Sequence, residues 1–150
     1  MKENYLDFVM ILERLHRLFL DLLKAELDRL KIRDLNNVQA LIMYNIGNSQ
    51  MTVGEISNRG YYLGSNVSYN LKKMVANGYV QQETSPHDRR STQIKLTPKG
   101  LSLFEKLDVY LQAQTEHLRS NGLSDEDFKI VIQKCRSLET YWNFFLKISL

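Results

Sequence analysis

Apolar positions along the chain follow a helical period almost everywhere and break to a two-residue period once, between residues 79 and 96. From residue 5 to 30, Tyr5, Val9, Leu12, Phe19, Leu23, Leu27 and Leu30 recur three or four apart, with Phe8, Ile11, Leu15, Leu18 and Leu22 as a second stripe beside them. This predicts a long helix with an apolar face too wide for one edge of a small domain, and hence a packing partner. After a polar break, Asn36 with Gln39 three residues later predicts a helix start, with Leu35 placed to pack on Ala40. That helix carries Val38, Leu41, Ile42 and Ile46 and ends at Gly47. Thr52 and Glu55 form a second capping box, with Met51 able to staple to Ile56. A short helix follows to about Arg59, and Gly60 and Gly64 separate it from the next.

In residues 63–78 the pattern divides into two faces. Val67, Leu71, Met74 and Val75 are expected to pack, whereas Asn66, Tyr69, Asn70 and Lys73 face outward. Two short helices joined through glycine, the second with a polar outer face, describe a helix-turn-helix. Residues 79–84 and 93–96 alternate as strands, around Val80, Gln82 and Thr84 and around Ile94 and Leu96, and the basic stretch 85–91 joins them into a β-hairpin wing. Thr97 and Pro98 restart helix as N-cap and first helical residue. Leu101, Phe104, Leu107, Leu111 and Leu118 carry it to Asn121 and Gly122. Ser124 and Asp127 cap a last helix with the stripe Phe128, Val131, Ile132, Cys135, Leu138, Trp142, Phe145 and Ile148, and Leu123 is placed to staple Phe128.

The expected fold is therefore mainly α with a small β-hairpin wing, an α/β winged helix-turn-helix. Residues 1–34 and 101–150 are expected to form a helical dimerisation region, in which the terminal helices entwine with those of a second copy, and residues 35–100 the DNA-binding region. With 43% hydrophobic and 25% charged residues, 150 residues can bury a core without disulfides. The single cysteine, Cys135, rules out an internal disulfide framework, and no Cys/His spacing builds a zinc site, so no metal or cofactor is expected. No leader or membrane-spanning run is apparent, and a reducing, cytoplasmic location is expected.

Charge singles out the middle of the chain. Residues 31–100 hold nine Lys/Arg and four Asp/Glu, a net +5, while the flanks are weakly acidic at −2. A basic centre between periodic ends fits a nucleic-acid module. Lys72, Lys73, Arg59, Arg89 and Arg90 would attract phosphate or a groove, and Asn66, Tyr69 and Asn70 would discriminate bases. A guanidinium on a protruding hairpin suits the negative potential of a narrow minor groove, with Asp88 bracing an arginine instead of meeting DNA. An enzyme is disfavoured: His16, His87 and His117 are scattered, and neither a phosphate-cradling glycine loop nor paired carboxylates occur.

The segments DRRSTQIKLTPKG, residues 88–100, and SNVSYNLKKMVANGYV, residues 65–80, resemble the wing signature and recognition helix of the MarR family of winged-helix transcriptional regulators. The resemblance covers essentially the whole chain. It implies a homodimer with interlocked terminal helices that covers a palindromic operator in double-stranded DNA, usually represses transcription, and is often released by a small molecule or by cysteine oxidation. By position it assigns Ser65, Asn66, Ser68, Tyr69, Asn70 and Lys73 to the recognition helix, Asp88 and Arg90 to the wing pair and Arg89 to the wing tip; His87, next to them in the basic loop, is a further candidate DNA contact. Tyr69 and Asn70 stand where many relatives carry arginine, which leaves the base preference open. A small aromatic or phenolic effector would lie near His16, Leu20, Met43, Tyr44 and Tyr61. Redox sensing through Cys135 and a winged helix that binds protein instead of DNA are the alternatives.

Overall fold

The computed structural model describes residues 1–60, 64–84 and 92–148, with side chains of residues 64 and 65 left aside. The elements run α1 (Lys2–Arg29), α2 (Asn37–Ile46), β1 (Met51–Thr52), α3 (Val53–Gly60), α4 (Gly64–Ala76), β2 (Val80–Thr84), β3 (Thr92–Leu96), α5 (Pro98–Ser120) and α6 (Asp125–Ile148). They divide into two compact units, Met1–Val109 and Tyr110–Leu150.

In the first unit the caps form as the residue pattern requires. Asn36 Oδ1 accepts from the Gln39 amide at 2.8 Å, and Gln39 Oε1 accepts from the Asn36 amide at 3.0 Å. Thr52 and Glu55 do the same for α3: the Thr52 amide donates to Glu55 Oε2 at 2.7 Å and the Glu55 amide donates to Thr52 Oγ1 at 3.2 Å. Each box satisfies two amides that would otherwise lack partners at a helix start. Helix α1 ends without glycine: Lys31 takes φ 58°, and the amides of Lys31 and Ile32 bond back to Asp28 and Leu27. An L side chain in that left-handed conformation is strained, so packing of the following segment holds this turn.

The core of this unit gathers one face from every short element. Ile42, Met43 and Ile46 of α2, Ile56 of α3, and Val67, Leu71 and Met74 of α4 are essentially inaccessible, as are Tyr79, Val80, Ile94 and Leu107. Each such side chain contributes about 1.5–3 kcal/mol on burial. Val75 departs from its expected place on the packing face and is 38% exposed, one position beyond the stripe that Met74 closes. In α5, Leu103 joins Leu107 in the core although the spacing of Leu101, Phe104 and Leu107 did not include it.

The sheet has three strands in the order β1-β3-β2, all antiparallel. The expected hairpin is present, with Val80 opposite Leu96 and Thr84 opposite Thr92. The additional strand is β1, where Met51 and Thr52 pair with Ile94 and Gln93. Two residues cannot show a period, so capping chemistry alone was legible there.

The second unit is simpler. Ser124 and Asp127 cap α6 reciprocally, with the Ser124 amide donating to Asp127 Oδ2 at 2.8 Å and the Asp127 amide donating to Ser124 Oγ at 3.2 Å. No residue of α6 is buried. Phe128, Val131 and Ile132 are each more than two-fifths exposed. Among the described residues no helix is long and apolar enough to cross a membrane.

Candidate nucleic-acid interface

Helix α4 is fixed at its far end by its own stop signal. Gly78 adopts φ 78°, the Gly78 amide donates to the Val75 carbonyl, and the Tyr79 amide donates to the Met74 carbonyl. Both late carbonyls of the helix are thereby satisfied, and Tyr79 and Met74 close the turn as buried neighbours.

A polar clamp then joins three segments around that turn. The Tyr79 hydroxyl donates to Asp34 Oδ1 at 2.6 Å, Asn77 Nδ2 donates to the Asp34 carbonyl at 2.6 Å, and Lys99 Nζ reaches both Asp34 Oδ2 at 3.1 Å and the Asn77 carbonyl at 2.7 Å. The Lys99 ammonium also lies 4.1 Å from the centre of the Tyr79 ring. The hydrogen bond from Tyr79, together with Lys99, holds the Asp34 carboxyl below its ordinary range. Burial first, and Asp34 second, push the Tyr79 phenol far above its usual value. Thr97 adds a donation to the Gly78 carbonyl at 2.5 Å while its Oγ1 accepts from the Gly100 amide at 3.1 Å. Gly100 touches the same turn: a Cβ there would stand 2.1 Å from the Tyr79 carbonyl oxygen. That contact gives a physical reason for the glycine that ends the wing signature.

With α4 held this way, Asn66, Ser68, Tyr69, Lys72 and Lys73 lie exposed along it, and Ser65 occupies its first turn. Tyr69 is 59% exposed with the Lys73 ammonium 4.8 Å from its ring centre, so the two project as a unit. Asn70 sits half-buried, with both ends of its amide bonded inside the protein. Arg59 is exposed at the end of α3, where Nη1 donates to the Asn45 carbonyl at 3.4 Å. At the base of the hairpin, Lys95 pairs with Glu83, and this partner draws the Glu83 carboxyl below its usual range. His87, Asp88, Arg89 and Arg90 lie outside the described residues.

The positions expected for an effector are not alike. His16 is exposed on α1, and Leu20 is half-buried with its carbonyl accepting from Asn37 Nδ2 at 3.2 Å. Met43 is wholly enclosed in the core. Tyr44 is half-buried, donates to Asp108 Oδ1 at 2.7 Å, and tilts against Phe104 at 5.2 Å between ring centres. Tyr61 lies outside the described residues, and Cys135 is half-buried on α6.

Residues 35–100, the segment that holds the capped helices, α4 and the three strands, match the winged helix DNA-binding domain family. Over 139 residues the chain is 35% identical to the exopolysaccharide II synthesis transcriptional activator ExpG of Rhizobium meliloti (strain 1021), covering 93% of this chain and 72% of that protein. The chain belongs to the MarR family. As a MarR-family protein it is a transcriptional regulator with a winged-helix DNA-binding domain, not an enzyme. Its fold is that of Staphylococcus aureus MarR, solved in complex with salicylate and kanamycin, with a TM-score of 0.70 at 24% identity over 94% of this chain and 91% of that one. The MepR protein of S. aureus in a DNA complex has the same fold, with a TM-score of 0.71 at 17% identity over 90% of this chain and 97% of that one.

Proposed function

We propose that this regulator works in the cytoplasm as a homodimer on a palindromic operator, with α4 of each protomer in a major groove and the hairpin wing in the adjoining minor groove. The observation that carries this reading is the division of α4. Its buried face of Val67, Leu71 and Met74 locks it to the domain, and the opposite face offers Asn66, Ser68, Tyr69, Lys72 and Lys73 to solvent. Phosphate attraction falls to Lys72, Lys73 and Arg59, with Arg89 and Arg90 of the wing, and base reading to the polar groups of α4. Dimerisation is supported by Met10, Ile11, Leu15, Leu18 and Leu22 of α1, which are exposed along one helix, and by an α6 with no buried residue. Two-fold symmetry sets half-sites about 34–36 Å apart.

Operator occupancy would repress the adjacent promoter, and a small aromatic or phenolic effector would release it by favouring a spacing of the two reading helices that misfits the grooves. The salicylate complex of S. aureus MarR supports that ligand class. A second reading, activation of the target promoter, is favoured by the relative in R. meliloti, which is a transcriptional activator.

Fluorescence anisotropy on palindromes from the chain's own promoter region, with sedimentation velocity in parallel, tests the proposal. A dimer that prefers one palindrome and loses affinity steeply with salt is expected. A monomer, or equal affinity for all sequences at low salt, would overturn it. A reporter driven by the bound promoter then separates repression from activation by the sign of its response.

A further inference from the structure

Gln39 is one of two buried polar or charged side chains among the described residues, at 4% exposure, and it lies on α2 outside the helix-turn-helix pair. Its Oε1 accepts from the Asn36 amide at 3.0 Å. Its Nε2 donates to Asn70 Oδ1 of α4 at 3.2 Å, and Asn70 Nδ2 donates to the Asn66 carbonyl at 2.8 Å. A backbone N–H can only donate and a carbonyl can only accept, so both ends of this relay have fixed polarity. Only one orientation of the two intervening amides satisfies all three bonds. Asn70 therefore turns its oxygen toward Gln39 and a nitrogen hydrogen along its own helix. Bidentate reading of adenine uses both amide atoms, and here each already carries a bond inside the protein that fixes the plane of the group, leaving one lone pair and one hydrogen.

We propose that Gln39 and Asn70 form a strut that sets the rotation of α4 about its axis, so that Asn70 positions the helix and base discrimination falls to Asn66 and Tyr69. The proposal rests on the DNA-reading role given above. It adds a positioning residue, Gln39, that touches no DNA. The strut acts on angle: Val67, Leu71 and Met74 make non-directional apolar contacts, and a hydrogen bond to a residue 31 positions away in sequence adds a directional one.

The test uses the full chain and three variants, Gln39→Ala, Asn70→Ala and the double substitution. Without DNA, Gln39→Ala should lower the urea midpoint less in the Asn70→Ala background than in the wild type. Loss of the α2 cap is common to both backgrounds and cancels from this comparison. Equal shifts in the two backgrounds would overturn the strut, whatever happens on DNA. On a panel of operators differing by single base pairs, each single variant should weaken binding by about three- to tenfold, the worth of one hydrogen bond, and by the same factor at every position. Loss of preference at one base pair in Asn70→Ala, retained in Gln39→Ala, would return Asn70 to base reading and sink the proposal. If the wild type itself prefers no operator, the DNA-reading role fails, and the urea comparison still decides the strut.

Discussion

The segment 35–100 and the helix α6 contain similar kinds of apolar residue and use them in opposite ways. In the winged segment Ile42, Ile46, Ile56, Val67, Leu71 and Ile94 are all at most 1% exposed. In α6, Phe128, Val131, Ile132 and Ile148 are 43%, 52%, 48% and 65% exposed. The first region is finished by its own chain, through short elements that each supply one face to a shared core. The second has a capped and regular helix whose apolar stripe meets nothing of comparable size in its own unit. Local helix chemistry is equally good in both, so capping and period report where a helix forms and leave open what it packs on.

The sharpest break of this contrast is a carboxylate placed in each stripe. Ile56→Glu buries an unpaired charge and is expected to cost about 4–5 kcal/mol or more, abolishing the cooperative unfolding of the winged segment in circular dichroism. Ile132→Glu is expected to leave that transition in place and convert the proposed dimer to monomer in sedimentation velocity. Unfolding by both variants would show that the winged segment depends on the terminal helices. Next in size, Gly100→Ala sets a methyl group against the Tyr79 carbonyl and is expected to destabilise the winged segment by roughly 3 kcal/mol in urea titration. Thr97→Val removes the cap of α5 and the bond to Gly78, with an expected cost of about 1–2 kcal/mol by the same measurement. A gain is expected from Lys31→Gly, about 1 kcal/mol, because the left-handed residue that ends α1 would lose its side-chain strain.

The smallest effect is a pH dependence centred on the clamp. Asp34 is depressed in the folded state, so its contribution is present above its unfolded value near 3.8 and is lost as pH falls through the lower folded value. Tyr79 is raised, so its contribution is present below its unfolded value near 10 and is lost as pH rises beyond it. Urea midpoints measured across pH should decline at both extremes. Tyr79→Phe should flatten the alkaline decline and Asp34→Asn the acid one. An unchanged alkaline slope in Tyr79→Phe would remove Tyr79 from this role.

Much of the fold was legible because it is written in local chemistry. The boxes at Asn36, Thr52 and Ser124, the stop at Gly78 and the proline-led start of α5 each involve residues within three or four positions, and all lie at the ends of the helices they predict. What stayed hidden depends on residues far apart in sequence. Asp34 shows its role only beside Tyr79 and Lys99, and Gln39 reads as a cap until Asn70 is placed against it. For the same reason Asn70 was legible as a residue on the polar face of α4, but the inward commitment of its amide was not. Val75 was misplaced by a single step of the helical period, the ordinary error where a stripe has a soft edge.

Strand β1 is two residues long, yet it pairs with the central strand β3, more than forty positions later in the chain. The same Thr52 that caps α3 is thus also bonded into the sheet. During synthesis, α2 and α3 can form from neighbouring residues, but the sheet must wait until β3 has left the ribosome. Closing so long a loop is slow compared with winding a helix. The sheet is therefore the last part of the winged segment to be set, and a nascent chain cut short before Thr92 would carry α4 with no sheet behind it.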